Sequence, residues 1–231
     1  MSHSRRLRAK IELVAPSMHR AIDAFWMHQR LPEIFPELLF TTYCVGRSTV
    51  PLLDLASTAA TARREADPVA ASVAEYCERH IPEERHHDEG VLDDLAVLGV
   101  SRESVGQRIP SPTMAALIGA QYYWILNVHP LALLGYLEVL EGEPPVAEQL
   151  EGVIQRTGLP REAFRTYFQH ADVDRKHRDD LHEALDRMPL SREHESILAI
   201  SAFQTVGLVR QIFEELVARL PLETALKASA S

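Results

Sequence analysis

Cysteine is nearly missing: Cys44 and Cys77 are the only two in 231 residues. They form no CxxC pair, so a disulfide framework is out of reach and a reduced, cytoplasmic protein is expected. Lysine is almost as scarce. Only Lys10, Lys176 and Lys227 carry an ε-amine, which leaves few groups for Schiff-base chemistry. Ten glycines and fourteen prolines are too few for a fibrous or disordered chain. Positive charge is in deficit, with 24 Lys and Arg against 33 Asp and Glu and a formal net charge of −9. That argues against a nucleic-acid partner, which requires a basic face to displace counterions from phosphates. The basic opening Met1-Ser-His-Ser-Arg-Arg-Leu-Arg8 is not followed by an apolar signal-peptide core. Ile109–Leu137 carries no Asp, Glu, Lys or Arg, but it holds Gln121, Asn127, His129 and Pro130. It reads as a central buried helix and not as a membrane span.

What is present is helical periodicity. Hydrophobic residues make up 46 % of the chain, and they recur at three- and four-residue spacing with no sustained alternation. The length suits one domain, 1–231, with 226–231 as a frayed tail. The expected fold is an all-α bundle of about seven helices, near 9–30, 34–62, 68–98, 112–141, 145–157, 161–187 and 192–219. Asp67-Pro68 offers an N-cap with proline at the first helical position. Gly99 suits a C-cap, and Ser191 can cap the last long helix. Pro82 and Pro130 fall inside expected helices and should kink or break them.

The chemistry is concentrated in two windows and one helix. The first window reads His80-Ile-Pro-Glu-Glu84-Arg-His86-His87-Asp88, and the second His170-Ala-Asp-Val-Asp174-Arg-Lys-His177. Residues three and four apart share a helix face, so Glu84 and His87 can close on one point. His170, Asp174 and His177 form one stripe. Between the windows, Glu138 and Glu141 interrupt an apolar run, where an unpaired carboxylate is costly. Spacing alone does not choose between them, and an arginine such as Arg47 is one conceivable partner for the other glutamate. Carboxylate-x-x-His pairs with a further Glu are how helical bundles hold two iron or manganese ions, and mixed O/N ligation suits Fe(II) or Mn(II). Any single pair is more often a solvated helix face, as Asp179-x-x-His182 illustrates. Three elements together favour a metal site. His80 and His86 are either partners that orient ligands or exposed histidines. Tyr122, Tyr123, Trp124 and Tyr136 are either pocket lining or core aromatics.

The run from Tyr76 to Gly99 resembles the EE-x-x-H-D…DL-x-x-LG stretch of the haem-oxygenase-like iron-containing redox enzymes, within the TenA-like fold group. Gly135-Tyr-Leu-Glu-Val-Leu-Glu-Gly-Glu-Pro-Pro145 is similar to that family's GY…LEG-x-PP helix, and His170-x3-Asp174-x2-His177 to its H-x3-D-x2-H signature. The resemblance implies a seven-helix bundle around a non-haem centre of two Fe(II) ions per chain, with Mn possible. It implies the ligands Glu84, His87, Glu141, His170, Asp174 and His177, with His87 and His170 on different irons. It prefers Glu141 over Glu138, because Glu141 directly precedes the Gly-x-Pro-Pro turn. It further implies an oxidase or oxygenase acting with O2 and an external electron donor on a small amine, amino-acid or fatty-acid-type substrate, and a homodimer. A non-catalytic metal-binding or scaffold protein of the same fold is the alternative.

Overall fold

Pro16 and Pro130 punctuate a chain that is otherwise helical almost throughout, whereas Pro82, expected to kink or break its helix, is carried within it, two residues before that helix ends. The computed structural model describes residues 1–218 apart from the Asp172 side chain, so the expected frayed tail lies outside the described residues. These form α1 (His3–Val14), α2 (Pro16–Trp26), α3 (Leu31–Thr61), α4 (Pro68–Glu84), α5 (His87–Val97), α6 (Arg102–Gln107), α7 (Pro112–Asn127), α8 (Ala132–Glu141), α9 (Ala147–Thr157), α10 (Arg165–Arg187) and α11 (Arg192–Ala218). A 3-10 turn, Arg161–Phe164, leads into α10, and no strand occurs among the described residues.

The class is as expected, but the helices are more numerous because three of the expected ones are divided and α6 forms in a stretch where none was expected. Pro16 starts α2 at a first-turn position, where its missing N–H costs nothing. The expected helix 68–98 breaks at Arg85, which is extended, and at His86, the one non-glycine residue with positive φ (71°) among the described residues. The expected helix 112–141 divides between Asn127 and Ala132, where Pro130 lacks the N–H that would continue it. Pro36 and Pro51 are accommodated within α3 without ending it. The expected caps form. The Asp67 carboxylate accepts from the Val69 and Ala70 amides, Ser191 Oγ accepts from the His194 amide, and Gly99 takes the left-handed φ of 80°.

Two long helices organise the core. α3 packs against α4, α5 and α7, while α11 packs against α8, α2, α7 and α1. Tyr76, Tyr136, Phe25, Phe35 and Phe164 are among the largest fully buried side chains. α8 lies so close to α11 that a Cβ at Gly135 would stand 2.4 Å from the Leu198 carbonyl oxygen. α11 is long and apolar enough, by length and composition, to cross a membrane, and 39 % of that window is buried in the bundle.

Candidate metal centre

Four helices supply the site. α4 ends on His80, Glu83 and Glu84, α5 begins with His87, α8 ends on Glu141, and α10 contributes His170, Asp174 and His177. Glu84 and His87 do not share a continuous helix, as their spacing suggested. The break at Arg85 and His86 turns the chain so that His87 Nδ1 still lies 3.2 Å from Glu84 Oε2. His86 caps α5 from an exposed position and takes no part in the cluster.

The other oxygen of Glu84 faces inward. Glu84 Oε1 lies 3.3 Å from His177 Nδ1 and 3.7 Å from His80 Nε2. Glu141 Oε2 lies 3.6 Å from His80 Nε2 and 3.7 Å from His177 Nδ1. His80, Glu84, Glu141 and His177 thus place one potential ligand atom each within 4.8 Å of the others. Asp174 is buried nearby on α10. His87 and His170 form the flank, with ring centroids 5.0 Å apart. His170 Nδ1 donates to the Thr166 carbonyl at 2.7 Å, which leaves Nε2 as its lone-pair nitrogen.

Several of these atoms have no partner within the protein. His80 Nε2, Glu141 Oε2, Asp174 Oδ1 and His177 Nδ1 are buried without a hydrogen bond. Buried polar atoms are normally paired, because desolvating one without compensation is costly. Three of these, from His80, Glu141 and His177, converge with Glu84 on one point suited to a cation, and Asp174 is buried close by. The electrostatics agree. Burial, reinforced by Glu141 and Glu84, pushes the Asp174 carboxyl up to about 8. Burial and the neighbouring His80 bring His177 down to about 4. Burial also raises Glu141. These carboxylates repel one another in a dry site, and a bound divalent cation relieves that repulsion. The donor set fits iron or manganese.

A cleft of about 390 Å³ opens onto the cluster, lined by Glu83, His87, Gln169, Val173, Lys176 and His177. Lys176 Nζ pairs with Glu83 at this opening. Tyr136 is fully buried beneath the site, whereas Tyr122 and Tyr123 project to the surface and Trp124 Nε1 donates to Gln204. The latter three therefore do not line the cleft.

The structure separates the two glutamates of α8. Glu138 is only 1 % exposed, yet it lies outside the cluster. It accepts from His182 Nε2 at 3.0 Å and has Arg8 at 3.7 Å. Arg47, the partner suggested by sequence, instead lies over the Tyr43 ring on α3. Its helix does not bring it to α8's outer face. His80, which the sequence leaves as either an orienting partner or an exposed histidine, is buried within the cluster. The signal was present: His80 and Glu84 are four apart and share the inner face of α4.

A second His/carboxylate group joins Asp67, His129 and His194. His129 Nδ1 accepts from the Leu131 amide, so Nε2 carries the proton and donates to Asp67 Oδ2 at 2.8 Å. His194 Nδ1 likewise accepts from the Ser191 amide. Both imidazoles are committed, and the group pins the start of α4 to the turn between α7 and α8.

Comparisons with known proteins agree with this architecture. The sequence profile of a family described as iron-containing redox enzymes matches residues 43–206, a span that includes every residue of the cluster. A domain of unknown function with a haem oxygenase-like fold from Shewanella denitrificans superposes with a TM-score of 0.74 at 18 % identity, covering 98 % of this chain and 94 % of that one. A TenA homologue from Pseudomonas syringae pv. tomato superposes with a TM-score of 0.70 at 15 % identity, covering 91 % of each chain. At such identities the likeness concerns the fold alone. A search of curated proteins finds no significant match to the chain.

Proposed function

Because the chain belongs to the iron-containing redox enzymes, we propose that it is a non-haem iron oxidase or oxygenase holding two iron ions between α4, α5, α8 and α10. The observation that carries this reading is the convergence of His80, Glu84, Glu141 and His177, with His80 Nε2, Glu141 Oε2 and His177 Nδ1 left without protein partners. Glu84, His87, Glu141, His170, Asp174 and His177 would hold the metal. When bound, the iron pair supplies one-electron redox chemistry and the activation of dioxygen.

The chain's own contribution follows from its geometry. Glu84 presents one oxygen towards His177 and the other towards His87, so it can serve both halves of the site. Thr166 holds His170 in the tautomer whose Nε2 lone pair is free. Burial and the nearby Glu141 and Glu84 push the Asp174 carboxyl up to about 8, so Asp174 would hold a cation as the carboxylate, and metal binding there would be coupled to loss of its proton. Tyr76 and Tyr136, both fully buried, keep bulk water from the inner side. The cleft beside His87 and His177 admits a small molecule, on which an amine, amino acid or fatty acid would be the substrate and an external donor would supply electrons.

Anaerobic titration of the full chain with Fe(II) tests this. About two irons per chain are expected, and His170→Ala or Asp174→Ala should remove at least one. His182→Ala should leave the count unchanged, because His182 faces Glu138. Oxygen uptake by the iron-loaded protein, screened against amines, amino acids and fatty acids, should then identify the substrate class. A protein that takes up neither Fe(II) nor Mn(II) would overturn the reading.

A further inference from the structure

The ligand set implied by family resemblance passes over two residues of α4, His80 and Glu83. Three observations concern them. First, His80 is as buried as the implied ligand His177, at 3 % and 1 % exposed, and its Nε2 has no hydrogen-bond partner. Second, His80 Nε2 and His177 Nδ1 alternate with Glu84 Oε1 and Glu141 Oε2 around a ring whose four separations are 3.7, 3.3, 3.7 and 3.6 Å. Three of these are too long for hydrogen bonds. They lie just above the edges of a coordination tetrahedron, about 3.2–3.5 Å for metal–ligand distances of about 2.0–2.2 Å, so a contraction of a few tenths of an ångström would close the ring on a metal. Third, the two imidazoles are backed by the same carboxylate. Glu83 Oε2 lies 3.6 Å from His80 Nδ1 and 3.5 Å from His177 Nε2, on the side away from the ring.

From this we infer that His80 is a nitrogen ligand of the inner metal position, equivalent to His177, and that Glu83 is the positioning residue which orients both rings. The inference rests on the metal-centre reading above and extends it. The two metal positions are unlike: an inner one enclosed by His80, Glu84, Glu141 and His177, and an outer one beside His87 and His170.

Each imidazole turns one nitrogen to the cage and the other towards Glu83, at 3.6 and 3.5 Å, within a small adjustment of the hydrogen-bonded arrangement by which proteins fix the ring and tautomer of a metal-bound histidine. Tyr76 stacks on the His80 ring, with centroids 5.3 Å apart, and holds it in that plane. His177 meets the same ring edge-on at 4.3 Å. Glu83 is itself held by Lys176. Pairing His80 with Glu141 in a metal-free core would also be electrostatically favourable. It would not explain why His177, on another helix, has the same two carboxylates in front and the same one behind.

The experiment is an anaerobic Fe(II) titration of the full chain against a chromophoric chelator, with the visible ligand-field spectrum of the Co(II)-loaded protein as a second readout. His80→Ala should weaken one of the two positions about 100-fold, as much as His177→Ala, and should shift the Co(II) bands of that position through loss of a nitrogen donor. Glu83→Gln should weaken the same position about 10- to 100-fold with smaller spectral change. His86→Ala, at an exposed position, should change neither readout. Thermal melts of the metal-free proteins identify a variant that fails to fold, and His80→Gln replaces His80→Ala in that case. A wild-type protein that binds metal while His80→Ala and His80→Gln keep both affinities and the Co(II) spectrum would overturn the role of His80. A wild type that binds none would instead overturn the metal-centre reading.

Discussion

Glu138 and Glu141 differ by one helical turn and have opposite surroundings. Glu141 Oε2 has no hydrogen-bond partner and faces two imidazoles, whereas Glu138 is satisfied by His182 with Arg8 nearby. Removing each side chain should therefore have separable effects. Glu141→Ala should lose iron at one position at least. Glu138→Ala should keep the iron count and lower stability by about 1.5–3 kcal/mol, the usual scale for hydrogen bonds to a charged group. Paired iron titrations and chemical denaturation of the two variants check this, and iron loss confined to Glu138→Ala would refute it. His129 shows a different kind of burial. Burial above all holds it below the ordinary histidine value, so the folded state favours its neutral form. Its contribution is present above the unfolded value of about 6.5 and is lost as pH falls from there through the lower folded value. For Asp67, burial would raise the carboxyl, but hydrogen bonds from His129, Ala70 and Val69 hold it low. Its contribution is lost only at more acidic pH. Between pH 7.5 and 5, the melting temperature of His129→Gln should fall less than that of the wild type. An equal fall would show that other groups carry the acid sensitivity.

At the scale of the element, the site depends on where helices stop and how closely they cross. α4 must end at Glu84 for His87 to turn back towards it, and the left-handed φ of 71° at His86 makes that turn. α8 must approach α11 closely for Glu141 to reach His80 and His177. A Cβ at Gly135 would lie 2.4 Å from the Leu198 carbonyl oxygen, too close to accommodate without moving backbone. Gly119, inside α7, would meet nothing within 4 Å. Gly135→Ala should therefore destabilise the protein by about 1–3 kcal/mol through overpacking and weaken metal binding by displacing α8. Gly119→Ala should stabilise it by about 0.5–1 kcal/mol, as glycine in a helix interior costs that much relative to alanine. Denaturant midpoints of the two variants settle the comparison, and a neutral Gly135→Ala would show that α8 has room to move.

Across the whole molecule, the cluster ties α4, α5, α8 and α10 together at a point where the metal-free core leaves polar atoms unpaired. A cation bound there favours the native state by mass action, by about 2.7 kcal/mol at a hundredfold excess over its dissociation constant. For a domain of this size, a kilocalorie shifts the melting temperature by about 2–4 °C. Anaerobic Fe(II) or Mn(II) should therefore raise it by about 5–10 °C, and a chelator should reverse the rise. His170→Ala should reduce it. No rise in the wild type at saturating metal would mean that the cluster does not couple metal binding to the fold.

Helicity and the inventory of ligand types were set by sequence alone, because both depend on local geometry. Three- and four-residue spacing follows from the helical repeat, and caps such as Asp67, Ser191 and Gly99 act on amides and backbone angles within a few residues. The stripe His170, Asp174 and His177 is legible for the same reason, since one continuous helix carries it. Tertiary structure decided what local spacing leaves open. Glu138 and Glu141 can share a face on an isolated helix, and only the packing of α8 against α10 and α11 sends one to His182 and the other to the cluster. Glu84 and His87 meet across a helix break whose angle is held by the surrounding core. His80 takes its place opposite His177 because α4 and α10 bring both rings to one carboxylate, Glu83. Which atoms share a cavity is a long-range property, fixed by burial and by the distance at which whole helices cross.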